Sequence, residues 1–227
     1  MEKDFLESES SFHSVRQFSI NGIAQEYHKL SDSLRNCGIS PEKINLCHES
    51  LSQTAEKLHK RLQYSDGFNR VLQEASDCSP SKHCPWRYHL LAQLDQIRIG
   101  LLTLFRAMPI PPHDHPGACG AQFVVSGKVR IRQYDFKDGL SYSKVHVVTL
   151  IQSLDEEIVR NGCSTYLHDH RNIHELESLT PRAVILNLAV NRFQAEEGSW
   201  YYPADLFNKS KERIYTRVTR ARNAVVP

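Results

Sequence analysis

Two histidines, His113 and His115, stand two residues apart in the stretch Pro-Pro-His-Asp-His-Pro-Gly. In an extended strand this spacing places both imidazoles on the same face. Neutral imidazole is the commonest metal ligand in proteins. Apolar segments on both sides predict strands that hold the pair, and its flanking proline and glycine restrict the backbone. The pair is therefore a candidate for part of a metal site. The alternative is a polar surface loop in a chain with 12 histidines.

A metal bound by this pair needs a further ligand from a distant strand, and a second histidine cluster offers one. His168, His170 and His174 lie in the stretch Leu-His-Asp-His-Arg-Asn-Ile-His-Glu-Leu. All three share the same parity along an extended strand, so one face presents any of them. Spacing alone does not choose between His170 and His174 as the third ligand.

The composition is that of a globular protein, with 227 residues of which 40% are hydrophobic and 24% charged. This length fits one domain with an appendage, or two small domains. The net charge of +2 gives no indication of a nucleic-acid or acidic-membrane partner. Basic residues that alternate with apolar ones near the C-terminus predict a solvated final element; they are Lys209, Lys211, Arg213, Arg217, Arg220 and Arg222.

Targeting and membrane patterns are missing from the sequence. No apolar run approaches the roughly 18–20 residues of a membrane span, and the acidic N-terminus has no signal-peptide pattern. We therefore expect a cytoplasmic protein without a membrane partner. The six cysteines form no Cys-x-x-Cys pair, so we expect thiols rather than structural zinc or disulfides. The oligomeric state, monomer or weak dimer, stays open.

The N-terminal third of the chain has helical periodicity. Apolar residues recur at helical spacing over 14–36, and Cys37-Gly38 then predicts a helix end. Ser40-Pro41-Glu42 predicts the start of a second helix, with a capping serine and a proline at the first helical position. That helix has an apolar face through Leu62, and a shorter one is predicted around 68–75. We expect residues 1–80 to form a helical segment that packs on the rest.

The pattern changes at Cys78-Ser79-Pro80-Ser81, beyond which short β-type runs follow one another. Turn residues such as Lys137-Asp138-Gly139 and Arg160-Asn161-Gly162 separate them. Many short strands indicate an antiparallel sandwich or barrel, and a small barrel has room for a ligand and a metal. We expect a mainly β domain over 81–227, with strands at 88–91, 97–105, 122–125, 129–134, 143–150, 164–168 and 183–190.

These residues resemble the paired metal motifs of the cupin superfamily: His-x-His, Gly127 twelve residues later, and a late histidine on a second β-segment. Many cupins add a glutamate four or five residues after His-x-His, where this chain has Cys119 and Gly120. The resemblance therefore implies a three-histidine site in a double-stranded β-helix, or jelly roll. That variant is typical of the thiol dioxygenases, which the chain resembles over roughly residues 85–205.

The resemblance covers two branches of the thiol dioxygenases. The strings His-Asp-His-Pro-Gly and Asn-Ile-His-Glu-Leu are similar to those of the enzymes that act on cysteamine or N-terminal cysteine, and they favour His174 as the third ligand. Arg87 lies 26 residues before His113, where cysteine dioxygenase has the arginine that binds the substrate carboxylate. The alternative for Arg87 is a surface or sheet-edge position.

The activity that the resemblance implies is oxidation of a thiol by O2. We expect an Fe(II) dioxygenase that converts a small carboxylate-bearing thiol, cysteine-like or 3-mercaptopropionate-like, to a sulfinate. Its cofactor is then Fe(II), and its partners are the thiol and O2. Two alternatives stay open: another metal-dependent reaction, such as carbon–carbon cleavage or isomerisation, and a cupin module that binds without turnover.

The chain also departs from these families near the site. The crosslinking cysteine of animal cysteine dioxygenase falls on Gly120, so no crosslink is expected. Its late-strand serine, histidine and tyrosine fall on Asn187, Ala189 and Asn191, and the aspartate of the N-terminal-cysteine branch falls on Leu186. Tyr166, Tyr201 or Tyr202 is a candidate to supply a replacement hydroxyl. Cys119 is a candidate pocket thiol, or else a small buried hydrophobe.

Overall fold

A computed structural model describes residues 41–80, 86–94, 97–137, 147–167, 171–191, 198–204 and 211–219. These residues form two helices and eleven strands. The mainly β fold with a closed barrel and a helical N-terminal part, as predicted, is confirmed. The helix predicted at 14–36 lies outside the described residues. No helix of the described ranges is long and apolar enough to cross a membrane.

The two helices are α1 (Pro41–Leu62) and α2 (Asp66–Asp77). Helix α1 begins at the predicted Pro41, although the predicted capping serine before it lies outside the described residues. Helix α2 extends the predicted 68–75 by two residues at each end, and the Ser65 side chain caps it by accepting a hydrogen bond from the Phe68 N–H. Both predicted helices are confirmed.

The strands all pair in antiparallel fashion and form two sheets. Five of them lie in the order β1-β2-β9-β4-β7, and six close into a barrel in the order β10-β11-β6-β5-β8-β3. Their bounds are β1 (Trp86–Leu94), β2 (Ile97–Phe105), β3 (Ile110–His113), β4 (Ala118–Ser126), β5 (Lys128–Phe136), β6 (Val147–Val159), β7 (Cys163–Tyr166), β8 (Ile173–Ser178), β9 (Arg182–Asn191), β10 (Ser199–Pro203) and β11 (Glu212–Thr219).

Alternation along the strands of the five-stranded sheet divides its side chains between two environments. On β2, Leu101 packs in one apolar cluster with the two helices, whereas Leu102 and Leu104 pack in another with residues of β5 and β8. The helices therefore cover the outer face of this sheet, and the inner face lines the interior of the fold. Because helices and sheet share one core, the boundary predicted at residue 80 stays a prediction.

Several sequence-based predictions differ from the structure. The strand predicted at 143–150 is β6, which continues to Val159 because its far half pairs with β5. Strands β3, β8 and β10 were not among the predicted ones. The predicted solvated C-terminal element is the strand β11, whose Tyr215 is buried. The expectation of six thiols is wrong for Cys47, which forms a disulfide with a residue outside the described ranges.

Candidate metal centre

Strand pairing brings the early and late histidines together. Strands β3 and β8 are antiparallel neighbours, and His113 stands opposite His174 in their register. His115 lies two residues beyond the end of β3, in the turn that leads through Gly117 (φ 73°) into β4. The expectation that His113 and His115 share one strand face is therefore replaced by a strand position and a turn position.

The three imidazoles form one cluster. Ring centroids lie 4.5 Å apart for His113 and His174, and 5.0 Å apart for each pair that includes His115. One nitrogen from each ring lies within 4.8 Å of the others. His113 and His174 are buried and His115 is half-buried. His168 and His170 lie outside the described residues, and within these the cluster contains no carboxylate or thiolate. The donor set is thus three neutral nitrogens, which fits a borderline transition-metal ion.

Hydrogen bonds fix the orientation of two of the three histidines. The His113 Nδ1–H donates to the Pro111 carbonyl at 2.8 Å, which leaves the lone pair of Nε2 for a metal. The Asn172 side chain holds the His115 backbone on both sides: Oδ1 accepts from the His115 N–H at 2.7 Å, and Nδ2 donates to the His115 carbonyl at 2.9 Å. The ligand geometry is therefore prepared by the protein itself.

Asp114, between the two early histidines, fastens the turn to β10. Its carboxylate accepts from the Ser199 N–H at 2.5 Å and from the Tyr201 hydroxyl at 2.6 Å, both buried. Burial and this carboxylate raise the pKa of Tyr201, so its hydroxyl stays a donor to Asp114. Tyr202, the next residue, is exposed. Of the three tyrosines considered from sequence, these two are therefore not beside the imidazoles.

Tyr166 lies against the cluster. Its ring is nearly parallel to that of His115, with centroids 5.4 Å apart, and lies 5.0 Å from that of His174. The side chain is 1% exposed, and its hydroxyl has no hydrogen-bond partner among the described residues. Burial raises the pKa of Tyr166, so the phenol stays protonated. A buried donor without an acceptor is costly in a folded protein, and such groups are common at functional sites.

Gly120 makes room for this phenol. It pairs with Tyr166 across β4 and β7, and a Cβ at position 120 would overlap the Tyr166 hydroxyl. The same Cβ would lie 2.5 Å from the Leu188 carbonyl oxygen, which belongs to the backbone and cannot easily move. Position 120 is one of the two places where the resemblance to cupins would put a glutamate. Here a tyrosine from the neighbouring strand occupies that space.

Gln122 is a site residue that the sequence analysis missed. It is 2% exposed, and its Nε2 lies 3.1 Å from Nε2 of His174. Its Oε1 has no hydrogen-bond partner within the described part of the chain. An amide inside the apolar run of β4 was the available indication, because buried polar side chains need partners. Only the strand pairing reveals that its partner is His174.

Arg87 and Cys119 are not brought to the imidazoles. Arg87 is exposed and stands opposite Thr103, whose hydroxyl donates to the Ala75 carbonyl of α2. Opposite residues of an antiparallel pair share a face, so Arg87 lies on the helix side of the sheet. Cys119 is buried in the cluster that includes the two helices, on the face of β4 opposite to Gly120.

Comparison with known proteins places the chain in one family. A family model described as PCO_ADO matches residues 39–221. No curated protein matches the chain.

Solved structures that match it share little sequence. KdgF from Halomonas sp. is 13% identical, and the match covers 48% of this chain and 82% of that one, with a TM-score of 0.37. An uncharacterized conserved protein with a double-stranded β-helix domain from Klebsiella pneumoniae is 10% identical, with coverages of 55% and 85% and a TM-score of 0.40. Hydroquinone 1,2-dioxygenase PnpCD is 11% identical, with coverages of 53% and 70% and a TM-score of 0.38.

Proposed function

The chain belongs to the PCO_ADO family of cupin-fold thiol dioxygenases, and from this membership we propose that it oxidises the thiol of a small substrate to a sulfinate with O2. The reaction is R–SH + O2 → R–SO2⁻ + H⁺. Both oxygen atoms go to sulfur, the sulfur supplies all four electrons, and no external reductant is required.

The convergence of His113, His115 and His174 is the observation that supports this proposal most directly. We propose these three side chains as the metal ligands. Three neutral donors leave the full positive charge of a divalent ion available to an anionic ligand such as a thiolate. A carboxylate in the cluster would reduce that charge, and within the described residues none takes part.

Fe(II) is the metal that we propose for this centre, because its redox chemistry and open coordination positions suit both a thiol and O2. When bound, the ion lowers the pKa of a coordinating thiol and provides the redox capacity that O2 requires. The fit rests on the three neutral nitrogens and on the His113 and His115 backbone contacts that hold the rings before any ion arrives.

Tyr166 is the catalytic residue that we propose beside the metal ligands. Its hydroxyl is buried against His115 and His174 and carries a proton for which the described residues offer no acceptor. A donor held in this position contributes a hydrogen bond to an oxygen atom that develops negative charge. The surrounding apolar residues exclude water, which strengthens that hydrogen bond. Orientation, rather than a strong base, is the main contribution of the protein.

The substrate that we propose is a small thiol with a carboxylate, cysteine-like or 3-mercaptopropionate-like. The position of Arg87 on the helix side of its sheet does not support the predicted carboxylate contact at that residue. We propose instead that Arg87 is a surface residue and that Cys119 is a packing residue. The group that binds the carboxylate is argued in the next subsection.

The test is metal analysis and oxygen consumption on protein expressed with added iron. We expect about one iron per chain and O2 uptake with cysteine or 3-mercaptopropionate, with a product heavier than the thiol by two oxygen atoms. His174→Ala should lose both the iron and the activity. His48→Gln, on α1 and away from the cluster, is the matched control and should keep both. Iron bound without uptake for any thiol contradicts the proposal, and absence of metal favours a binding module.

A further inference from the structure

We propose that Arg98, at the start of β2, binds the carboxylate of the substrate; this inference rests on the proposed thiol dioxygenase function and names the residue that selects its substrate class. Arg98 was not considered from sequence. Arg87, eleven positions earlier, stands on the adjacent strand but on the other face of the same sheet.

Strand parity places Arg98 on the inner face. Residues two apart on a strand share a face, so Arg98 lies on the same side as Leu102 and Leu104, which pack in the interior cluster. Gly100, between them, supports this assignment. A Cβ at Gly100 would lie 2.5 Å from the Tyr88 hydroxyl oxygen, and Tyr88 packs against the same interior cluster.

Register places Arg98 in one row with the site. It stands opposite Ala189 on β9, which stands opposite Gly120 on β4, which in turn stands opposite Tyr166 on β7. Adjacent strands are about 4.8 Å apart, so the Cα atoms of Arg98 and Gly120 lie about 10 Å apart across β9. Ala189 and Gly120 have small or no side chains. The surface between the guanidinium and the Tyr166 hydroxyl is therefore low.

The guanidinium of Arg98 has a defined support but no anionic partner. Its central carbon lies 5.0 Å from the centroid of the Tyr88 ring, a cation–π contact that holds it above β1 and β2. Arg98 is exposed and forms no ion pair with a carboxylate of the described residues. Arg132 on β5, by contrast, pairs with Glu175 and Glu177. The donors of Arg98 remain available to a ligand that enters the barrel.

A thiol carboxylate matches the two ends of this row. Its sulfur belongs at the three imidazoles, and its carboxylate can accept two parallel N–H bonds from the planar guanidinium. Tyr88 and Asn187 lie beside Arg98: both oppose the rise that burial causes in the Tyr88 pKa. Asn187 also stands opposite Gln122, so polar groups continue along the inner face toward His174. A thiol without a carboxylate lacks the contact at Arg98.

The first test compares substrates on the iron-loaded enzyme. We expect Arg98→Ala to raise KM for 3-mercaptopropionate about tenfold or more, with a smaller effect on kcat, since a charge-assisted hydrogen bond is lost. KM for cysteamine, which has no carboxylate, should not change. Arg98→Lys should restore part of the loss. Arg87→Ala is the matched control and should leave both substrates unaffected.

The second test measures binding without turnover. Thiols are titrated anaerobically into cobalt(II)-loaded protein, and the thiolate-to-cobalt absorption band reports binding. Arg98→Ala should shift the 3-mercaptopropionate midpoint about tenfold and leave the cysteamine midpoint in place. An unchanged 3-mercaptopropionate midpoint in Arg98→Ala overturns the inference even if the wild type is an active dioxygenase. If the wild type shows the band but consumes no O2, the proposed function fails, and the midpoint shift alone decides for or against Arg98. A wild type without a band for either thiol overturns both.

Discussion

Tyr166 and Gly120 stand opposite each other on neighbouring strands, and the phenol fills the space that any side chain at position 120 would need. One relationship thus accounts for two features of the centre. The absence of a side chain at position 120 excludes a ligand from that position, and the tyrosine supplies a protonated hydroxyl in its place. Glycine and tyrosine therefore depend on each other.

Tyr166→Phe should reduce kcat about tenfold or more, because a hydrogen bond to a developing negative charge is lost in a buried site. Iron content and the thiol midpoint on the cobalt protein should stay at wild-type values. Tyr202→Phe, which alters an exposed hydroxyl two strands away in the order of the chain, is the control. A Tyr166→Phe enzyme with wild-type kcat would show that the hydroxyl takes no part in the reaction.

Gly120→Ala should destabilise the protein by about 1–3 kcal/mol, since the added methyl meets a backbone carbonyl as well as the phenol. The sign is informative, because alanine in place of glycine usually stabilises where the backbone conformation permits it. Urea unfolding of wild type and variant measures the difference. Alanine at the exposed Glu156 of β6 is the control and should have little effect. A stabilised Gly120→Ala protein would contradict the predicted overlap.

Asn172→Ala should weaken metal binding about 10- to 100-fold, the usual cost of removing a residue that orients a ligand. Both hydrogen bonds to the His115 backbone are lost, so the turn that carries the ring becomes less restricted. Competition with a chelator gives the affinity. Asn69→Ala, which removes an exposed side-chain hydrogen bond on α2, should bind metal as the wild type does.

His59→Gln should flatten the dependence of stability on pH between about 7 and 5. Burial, and then the charge of Arg160, lower the pKa of His59 below its ordinary value. The unfolded chain therefore binds a proton near pH 6.5 that the folded chain resists, and the free energy of unfolding falls as the pH drops through this range. Unfolding free energies of both proteins at several pH values give the difference, in which the contributions of the other histidines cancel. Parallel pH curves would contradict the assignment to His59.

Phe68→Ala should cost about 3–5 kcal/mol, because this fully buried ring joins α2 to the sheet. Tyr64→Ala is the matched control, since Tyr64 is 84% exposed. We propose that the helical segment and the barrel unfold together. Circular dichroism of the helices and fluorescence of Trp86 and Trp200 should then report one transition in the wild type. Two separated transitions would instead support a boundary between independent units near residue 80.

The sequence predicted the fold class because local patterns carry it. Proline and glutamate after a serine marked the start of α1, and the apolar run at 97–105 coincides with β2. Strand β3 was missed because its two prolines are unusual within strands. Strand β8 was missed because histidine and two glutamates interrupt its apolar residues, although its buried positions do alternate.

The site was less accessible from sequence than the fold. Residue type and spacing pointed to His113, His115 and His174, which the structure brings together. The roles of Asn172 and Gln122 depend on pairing between distant strands, and no local pattern encodes it. Arg87 and Arg98 look alike in sequence, yet one residue of parity puts them on opposite faces of a sheet. Sequence distance from His113 could not reveal that difference.

The pairing of β3 with β8 has a consequence for the life of the protein in the cell. Backbone hydrogen bonds and one asparagine, rather than an ion, assemble the imidazoles. A centre built in this way exists before loading, so the chain can release its metal and take up another without refolding. Its output then follows the supply of metal, as a lamp follows the current, while the amount of folded protein stays the same.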